Sequence, residues 1–137
     1  MPQYMLLIYE EEVEPAEQAE RERITPALVE LHAALREAGL LDSVHRLHST
    51  ESATSIRVRE GETEITDGPF AVTKEVLAGY YVLECGDLDE AIKLAERLPM
   101  APWATIEVRP VMPAGEWLST ARAAGVDLPD EAVGDLQ

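Results

Sequence analysis

The chain has 137 residues, with 27 Asp plus Glu against 11 Lys plus Arg, a formal charge of −16. That size is one ordinary domain, and 46% hydrophobic residues are too many for wholesale disorder. The charge repels phosphate backbones and anionic headgroups, which disfavours nucleic-acid and membrane partners. No apolar run reaches the ~18 residues of a spanning helix. Met1-Pro2-Gln3-Tyr4 lacks the basic start of a signal peptide, so cytoplasm is the default expectation. One cysteine, Cys85, rules out an intrachain disulfide and a cysteine zinc site.

Tyr4 to Tyr9 is a short apolar run and predicts a strand buried on both faces. Glu10 to Arg23 holds seven glutamates (10, 11, 12, 14, 17, 20 and 22) and predicts a solvated acidic loop and helix, opened by Pro15. Thr25-Pro26 predicts an N-cap with Pro at the first helical position, where a missing N–H costs nothing. Leu28, Leu31, Leu35 and Ala38 then give an amphipathic helix ending at Gly39. His32 is expected as a partly exposed residue of that helix.

Val44 to His48 is a strand candidate. Thr54 to Arg59 alternates apolar and polar, and after a turn at Glu60-Gly61-Glu62 the segment Thr63 to Thr66 returns as a small hairpin arm. Asp67-Gly68-Pro69-Phe70 breaks regular structure, with Phe70 expected to anchor the turn in the core. Val76 to Cys85 predicts a strand, with Tyr80 and Tyr81 on opposite faces. Asp87 with Glu90 makes a capping box before a helix striped by Leu88, Ala91, Ile92, Ala95 and Leu98. Trp103 to Val111 is the last strand. Residues 1–113 are thus expected as one α+β domain. Residues 114–137 form an acidic tail, helical at Glu116 to Ala124 and loosely ordered beyond.

The order is βαββαβ with an added hairpin, in which two helices cover one face of an antiparallel sheet. Strands 4–9 and 77–83 should be central. Strands 54–59 and 103–109 should be the outer ones, with Ile56 and Val58 opposing Arg57 and Arg59. Leu77, Tyr81 and Leu83 point one way and Ala78, Tyr80 and Val82 the other; whichever set the helices leave uncovered would be a larger apolar patch than a soluble monomer usually shows. Each large side chain buried there is worth ~1.5–3 kcal/mol, so a homodimer with packed sheet faces is expected, its ligand cleft beside the interface. Trp117 and Leu118, folding back, are the rival cover.

The stretches Asp67-Gly68-Pro69-Phe70-Ala71-Val72-Thr73-Lys74-Glu75, Gly79-Tyr80-Tyr81, Asp87-Leu88-Asp89-Glu90-Ala91 and Glu107-Val108-Arg109-Pro110-Val111 resemble the DGPF-domain branch of the YciI-like family. Tyr4 to Tyr9 and Ala53 to Arg59 are similar to it as well, so the resemblance covers about residues 3–112. It implies a ferredoxin-like domain that forms a dimeric α/β barrel. Better-studied members resemble enzymes with a His–Asp pair. Here the matching positions fall near Ala27 and at Leu98, so neither half is present. Position 72, usually Glu in this branch, is Val.

The candidate chemistry is sparse. Asp67 is a possible rim carboxylate or base, beside Thr73, Lys74 and Glu75, and His45 a lone acid/base. Arg57, Arg59 and Arg109 suit bidentate binding of a small carboxylate or phosphate, with Lys74 and Tyr80 completing a site for an anionic or oxygenated molecule. His45 and His48, three apart on a strand, face opposite sides and make no metal site. No cofactor is expected, for no nucleotide-loop or hydrolase motif occurs. The function classes left open are a small-molecule-binding protein, a cofactor-free enzyme and a protein-interaction module.

Overall fold

A computed structural model of the chain describes residues 1–129. The first strand, β1 (Gln3–Glu10), leads through α1 (Pro15–Arg21) and a 3₁₀ turn at Glu22–Ile24 into α2 (Thr25–Glu37). Strand β2 (Leu41–Arg46) follows, then β3 (Thr54–Arg59), β4 (Glu62–Asp67) and the long β5 (Val76–Glu84). Helix α3 (Leu88–Glu96), β6 (Thr105–Pro110) and α4 (Ala114–Ala123) complete the described chain. The loosely ordered end expected after the tail helix lies, from residue 130 on, outside the described residues.

The architecture is α+β. One antiparallel sheet has the order β2-β5-β1-β6, so the two doubly apolar strands are central. Cross-strand pairing assigns the faces, since directly opposed residues point the same way. Val44, Tyr81, Leu6 and Val108 form one row, and Ile8 pairs with Gly79 and Ile106 on the same face. Leu6, Tyr81 and Leu83 join Leu35 of α2 and Ala91, Leu94 and Ala95 of α3 in the core, so both helices cover this face. On the other face His45, Tyr80, Leu7 and Glu107 make one row, and Ser43, Val82, Met5 and Arg109 the next. Met5, Leu7, Tyr80 and Val82 are half-buried and lie outside that core. Among the described residues the sheet is open, not closed into a barrel.

Local chemistry explains the helix ends. The Glu90 amide donates to Asp87 Oδ1 at 2.9 Å, as the capping box requires, while Glu90 Oε2 accepts from Gly86 N at 2.7 Å. Thr25 is not the cap of α2: it is already helical, and its hydroxyl donates to the Glu22 carbonyl at 2.6 Å because the preceding 3₁₀ turn runs straight into the helix. Glu12 accepts from Thr50 N at 2.7 Å and from the Thr50 and Ser49 hydroxyls, tying the loop after β1 to the loop after β2.

Three further expectations need correction. The edge strand beside β5 is β2, not residues 54–59; β3 pairs only with β4, as a separate two-stranded arm. The alternation Ile56, Val58 against Arg57, Arg59 reads the same in an arm as on a sheet edge, so pattern alone misplaced it. Phe70 is 87% exposed and anchors no core, because the segment 68–75 runs outside the sheet. The last strand starts at Thr105, and Trp103 sits in the turn before it, its amide donating to the Met100 carbonyl.

Candidate functional site

The helices do not close evenly on the sheet. Between the end of the sheet and the α1–α2 segment lies a cleft of about 140 Å³. Its floor comes from Ile8, Val44 and the β5 segment Ala78–Tyr81, and its roof from Ile24, Leu28 and His32. Met100 and Trp103 close one side, and Glu10, Arg21, Glu22 and Arg46 line it with charge.

Gly79 is required at the floor. A Cβ there would stand 2.7 Å from the His45 carbonyl oxygen, a contact that backbone cannot relieve cheaply. The β1–β5 register shifts beside it, between Ile8 and Tyr9. The close approach lets β2 and β5 meet tightly under the cleft.

Inside, His32 Nε2 and Tyr81 Oη are 2.7 Å apart, with the two rings edge to face at 5.3 Å. Tyr81 is only 3% exposed. Burial pushes its phenol up to about 12, so it stays protonated. Burial, then the nearby Arg36 cation, holds His32 below its ordinary 6.5, so it is neutral at pH 7. A buried hydroxyl proton needs an acceptor, and among the described residues His32 Nε2 is the one within reach. The geometry therefore assigns the Tyr81 proton to His32 Nε2 and the imidazole proton to Nδ1. The lone pairs of Tyr81 Oη remain as acceptors.

The charges at the mouth neutralise each other. Arg46 makes a bidentate pair with Glu22, Nη1 to Oε2 at 3.0 Å and Nη2 to Oε1. The Arg46 hydrogen bond holds Glu22 down at about 2, helped by Gln18 Nε2 donating at 2.7 Å. Glu22 in turn raises Arg46 above its usual value. Trp103 Nε1 donates to Glu10 Oε2 at 2.6 Å, and the Arg21 guanidinium carbon lies 5.5 Å from the Trp103 ring centroid, a cation–π contact. Two carboxylates and two guanidiniums thus line a cleft of no net charge.

The residues singled out from sequence lie elsewhere, with two partial exceptions, His45 and Tyr80. His45 borders the cleft through β2, but its side chain is on the opposite sheet face, tilted against Tyr80 with ring centroids 5.4 Å apart. Arg109 is on that same face, opposite Met5. Arg57 and Arg59 are on the arm, opposite Glu64 and Glu62. Asp67 is exposed at the arm's base, opposite Thr54. Lys74 pairs with Glu11 at 3.3 Å. Of this set the structure brings together His45 with Tyr80, and Arg57 with Arg59 on one face of the arm. The cleft residues His32, Tyr81, Glu22, Arg46 and Trp103 had no motif to betray them. The one available signal was spacing: His32 is four residues after Leu28 and three before Leu35, inside the apolar stripe rather than beside it.

No group of three or more His, Cys, Asp or Glu among the described residues is arranged to hold a metal ion. None of their helices is long and apolar enough to cross a membrane. Burial, then Glu90 and Asp87, raises the Cys85 thiol, which leaves it a poor nucleophile.

Comparison with known proteins gives a family rather than an activity. An uncharacterized protein of Rhizobium meliloti (strain 1021) is 40% identical over 112 residues, covering 79% of this chain and 90% of the relative. The family description "YCII-related domain" matches residues 2–115, the whole span from β1 through β6 that builds the sheet, the arm and the cleft. The chain belongs to the YCII-related domain family.

Proposed function

We propose that this protein is a small-molecule-binding protein that takes a single-ring, neutral, oxygenated compound in the helix-side cleft. The observation that carries this reading is the cleft itself: a charge-balanced mouth and, inside it, mostly apolar walls with the hydrogen-bonding pair His32 and Tyr81. Its 140 Å³ is close to the ~150 Å³ apolar cavity that accepts one benzene ring, and well short of the ~300 Å³ and more of drug-sized pockets. A nucleotide is too large. The neutralised mouth favours an uncharged ligand over a carboxylate or phosphate, and Arg57, Arg59 and Arg109 do not line the cleft. With Tyr81 donating to His32, its oxygen accepts from the ligand, which selects a hydroxyl donor such as a phenol.

The assembly that fits is a homodimer of ferredoxin-like subunits with their open sheet faces together, as in a dimeric α/β barrel. Supporting it is the strand order, which with the arm set aside is that of a βαββαβ unit, and the row of Met5, Leu7, Tyr80 and Val82 outside the core. Two measurements test the reading. Trp103 fluorescence in a Trp117→Phe background should respond saturably to phenol or p-cresol and not to benzoate; equal response to benzoate, or none to either, overturns the ligand class. Sedimentation at micromolar concentration should give roughly 30 kDa, twice the 15.1 kDa chain; a single-chain mass overturns the dimer.

A further inference from the structure

One side chain at the cleft has more hydrogen-bonding capacity than the fold uses. Arg21 ends α1, and its side chain is only 13% exposed, whereas Arg23, Arg46 and Lys74, the cations of the other ion pairs, are 80%, 67% and 87% exposed. A guanidinium carries five N–H donors. Arg21 Nη1 donates to the Glu11 carbonyl at 2.9 Å. Glu17 Oε1 stands 4.0 Å from Nη2, beyond hydrogen-bond reach. The Trp103 ring, 5.5 Å away, attracts the cation but offers it no acceptor oxygen.

Arg21 Nε and Nη2 are thus left without a protein acceptor among the described residues. They are not sealed in either. No buried side-chain nitrogen or oxygen among those residues lacks a partner, so both atoms reach open space. The space that Arg21 lines, with Trp103, is the cleft. Arg46, the other guanidinium there, differs: both of its Nη atoms are engaged by Glu22.

Charge selects what these donors take. Glu10 accepts from the indole N–H of the same Trp103, and Glu17 flanks Nη2. Two carboxylates therefore already offset the Arg21 cation, and a ligand carboxylate would bring a third anion beside them. A neutral carbonyl oxygen accepts the N–H and adds no charge.

We propose that Arg21 is a specificity-determining residue of the cleft, donating to a carbonyl oxygen of the same ring compound whose hydroxyl donates to Tyr81. The ligand class then narrows to neutral hydroxyaryl aldehydes and ketones. The inference rests on the small-molecule reading of the cleft and adds a second polar contact to it. Hydrogen bonds with an ionised donor are the stronger ones, so this contact should be worth ~10-fold or more in affinity.

A matched pair of ligands tests it. 4-Hydroxybenzaldehyde and 4-ethylphenol have equal numbers of non-hydrogen atoms, and their side chains end in oxygen and in methyl respectively. By calorimetric titration at mildly acidic pH, which keeps both phenols protonated, wild type should bind the aldehyde at least ~10-fold more tightly than 4-ethylphenol. It should bind 4-hydroxybenzoate more weakly than the aldehyde. Arg21→Met keeps an unbranched stem and removes every side-chain N–H, so the ratio of the two affinities should fall toward one; Arg21→Lys should recover part of it. A ratio cancels whatever the substitution does to the shape of the cleft. In wild type the Arg21 guanidinium N–H resonances should shift with the aldehyde and not with 4-ethylphenol, a reading that stands even if neither variant folds. Equal wild-type affinities, unmoved Arg21 resonances, or a ratio that survives in Arg21→Met overturns the Arg21 assignment and leaves the phenol cleft standing. Tighter binding of the benzoate overturns the neutral carbonyl class. Binding of none of the three compounds overturns the cleft reading and this inference together.

Discussion

The hydroxyl of Tyr81 is the most informative atom to remove. Tyr81→Phe keeps the ring, its burial and its packing against Leu6 and Val44 on the same face, and deletes only the 2.7 Å bond to His32 Nε2. A hydrogen bond of this kind contributes ~0.5–1.5 kcal/mol net. His32 is only partly buried, so water reaches the freed nitrogen and the cost should fall near the middle, about 1 kcal/mol. For a chain of this size that is a melting-temperature drop of ~3–5 °C at fixed protein concentration. The same variant should lose phenol binding far more than stability, since the acceptor oxygen goes with the hydroxyl. Nitrogen NMR of the wild-type imidazole should show the proton on Nδ1. The His32 pKa should stay below 6.5 in Tyr81→Phe, because burial and Arg36 lower it, not the phenol. A wild-type imidazole protonated on Nε2, or a variant that binds phenol as well as wild type, would refute the assigned direction of this bond.

Further predictions concern the frame around the cleft. Gly79→Ala places a methyl 2.7 Å from the His45 carbonyl and should cost ~1–3 kcal/mol in urea unfolding, with the slope unchanged. Asp87→Ala removes the oxygen that accepts from Glu90 N and should cost ~1 kcal/mol, whereas Asp87→Asn should cost little. Glu22 is depressed in the fold from 4.5 to about 2, so its stabilising contribution is full above pH 4.5 and is lost as pH falls toward 2. His32, also depressed, adds a loss that begins as pH drops below 6.5, where the unfolded chain takes up a proton that the folded chain does not. Acid titration of wild type and Arg46→Ala should therefore differ mainly at and above pH 4.5 and converge toward pH 2. Both carboxylate and guanidinium are substantially exposed, so the difference should be modest and should shrink with salt.

Much of the frame was legible because its signals are local. Strands 4–9 and 77–83 are apolar on both faces, and only central positions demand that. Asp87 and Glu90 marked a helix start that the amide bonds bear out. The opposite facing of Tyr80 and Tyr81 follows from strand periodicity alone. What failed was whatever needed the third dimension. Ile56 and Val58 alternate correctly for a half-buried strand, and nothing in the alternation says whether the apolar side meets this chain's core or projects on an arm. Phe70 looked like an anchor by residue type, but a loop's side chains are buried only if the loop crosses an apolar face. The cleft escaped because its members come from distant positions: Glu22 meets Arg46 across 24 residues, His32 meets Tyr81 across 49, and Glu10 meets Trp103 across 93. In sequence, Glu10 and Glu22 were two of seven glutamates in a charge run, and such a run usually faces solvent.

Chemical-shift mapping of p-cresol on the ¹⁵N-labelled protein puts the binding claim to its most direct test. The Trp103 indole N–H, the His32 ring nitrogens and the Gly79 amide should move together and saturate at one constant. Shifts confined to Tyr80, Val82 and Arg109 would put the ligand on the other side of the sheet, and no saturable shift at all would remove the cleft as a binding site.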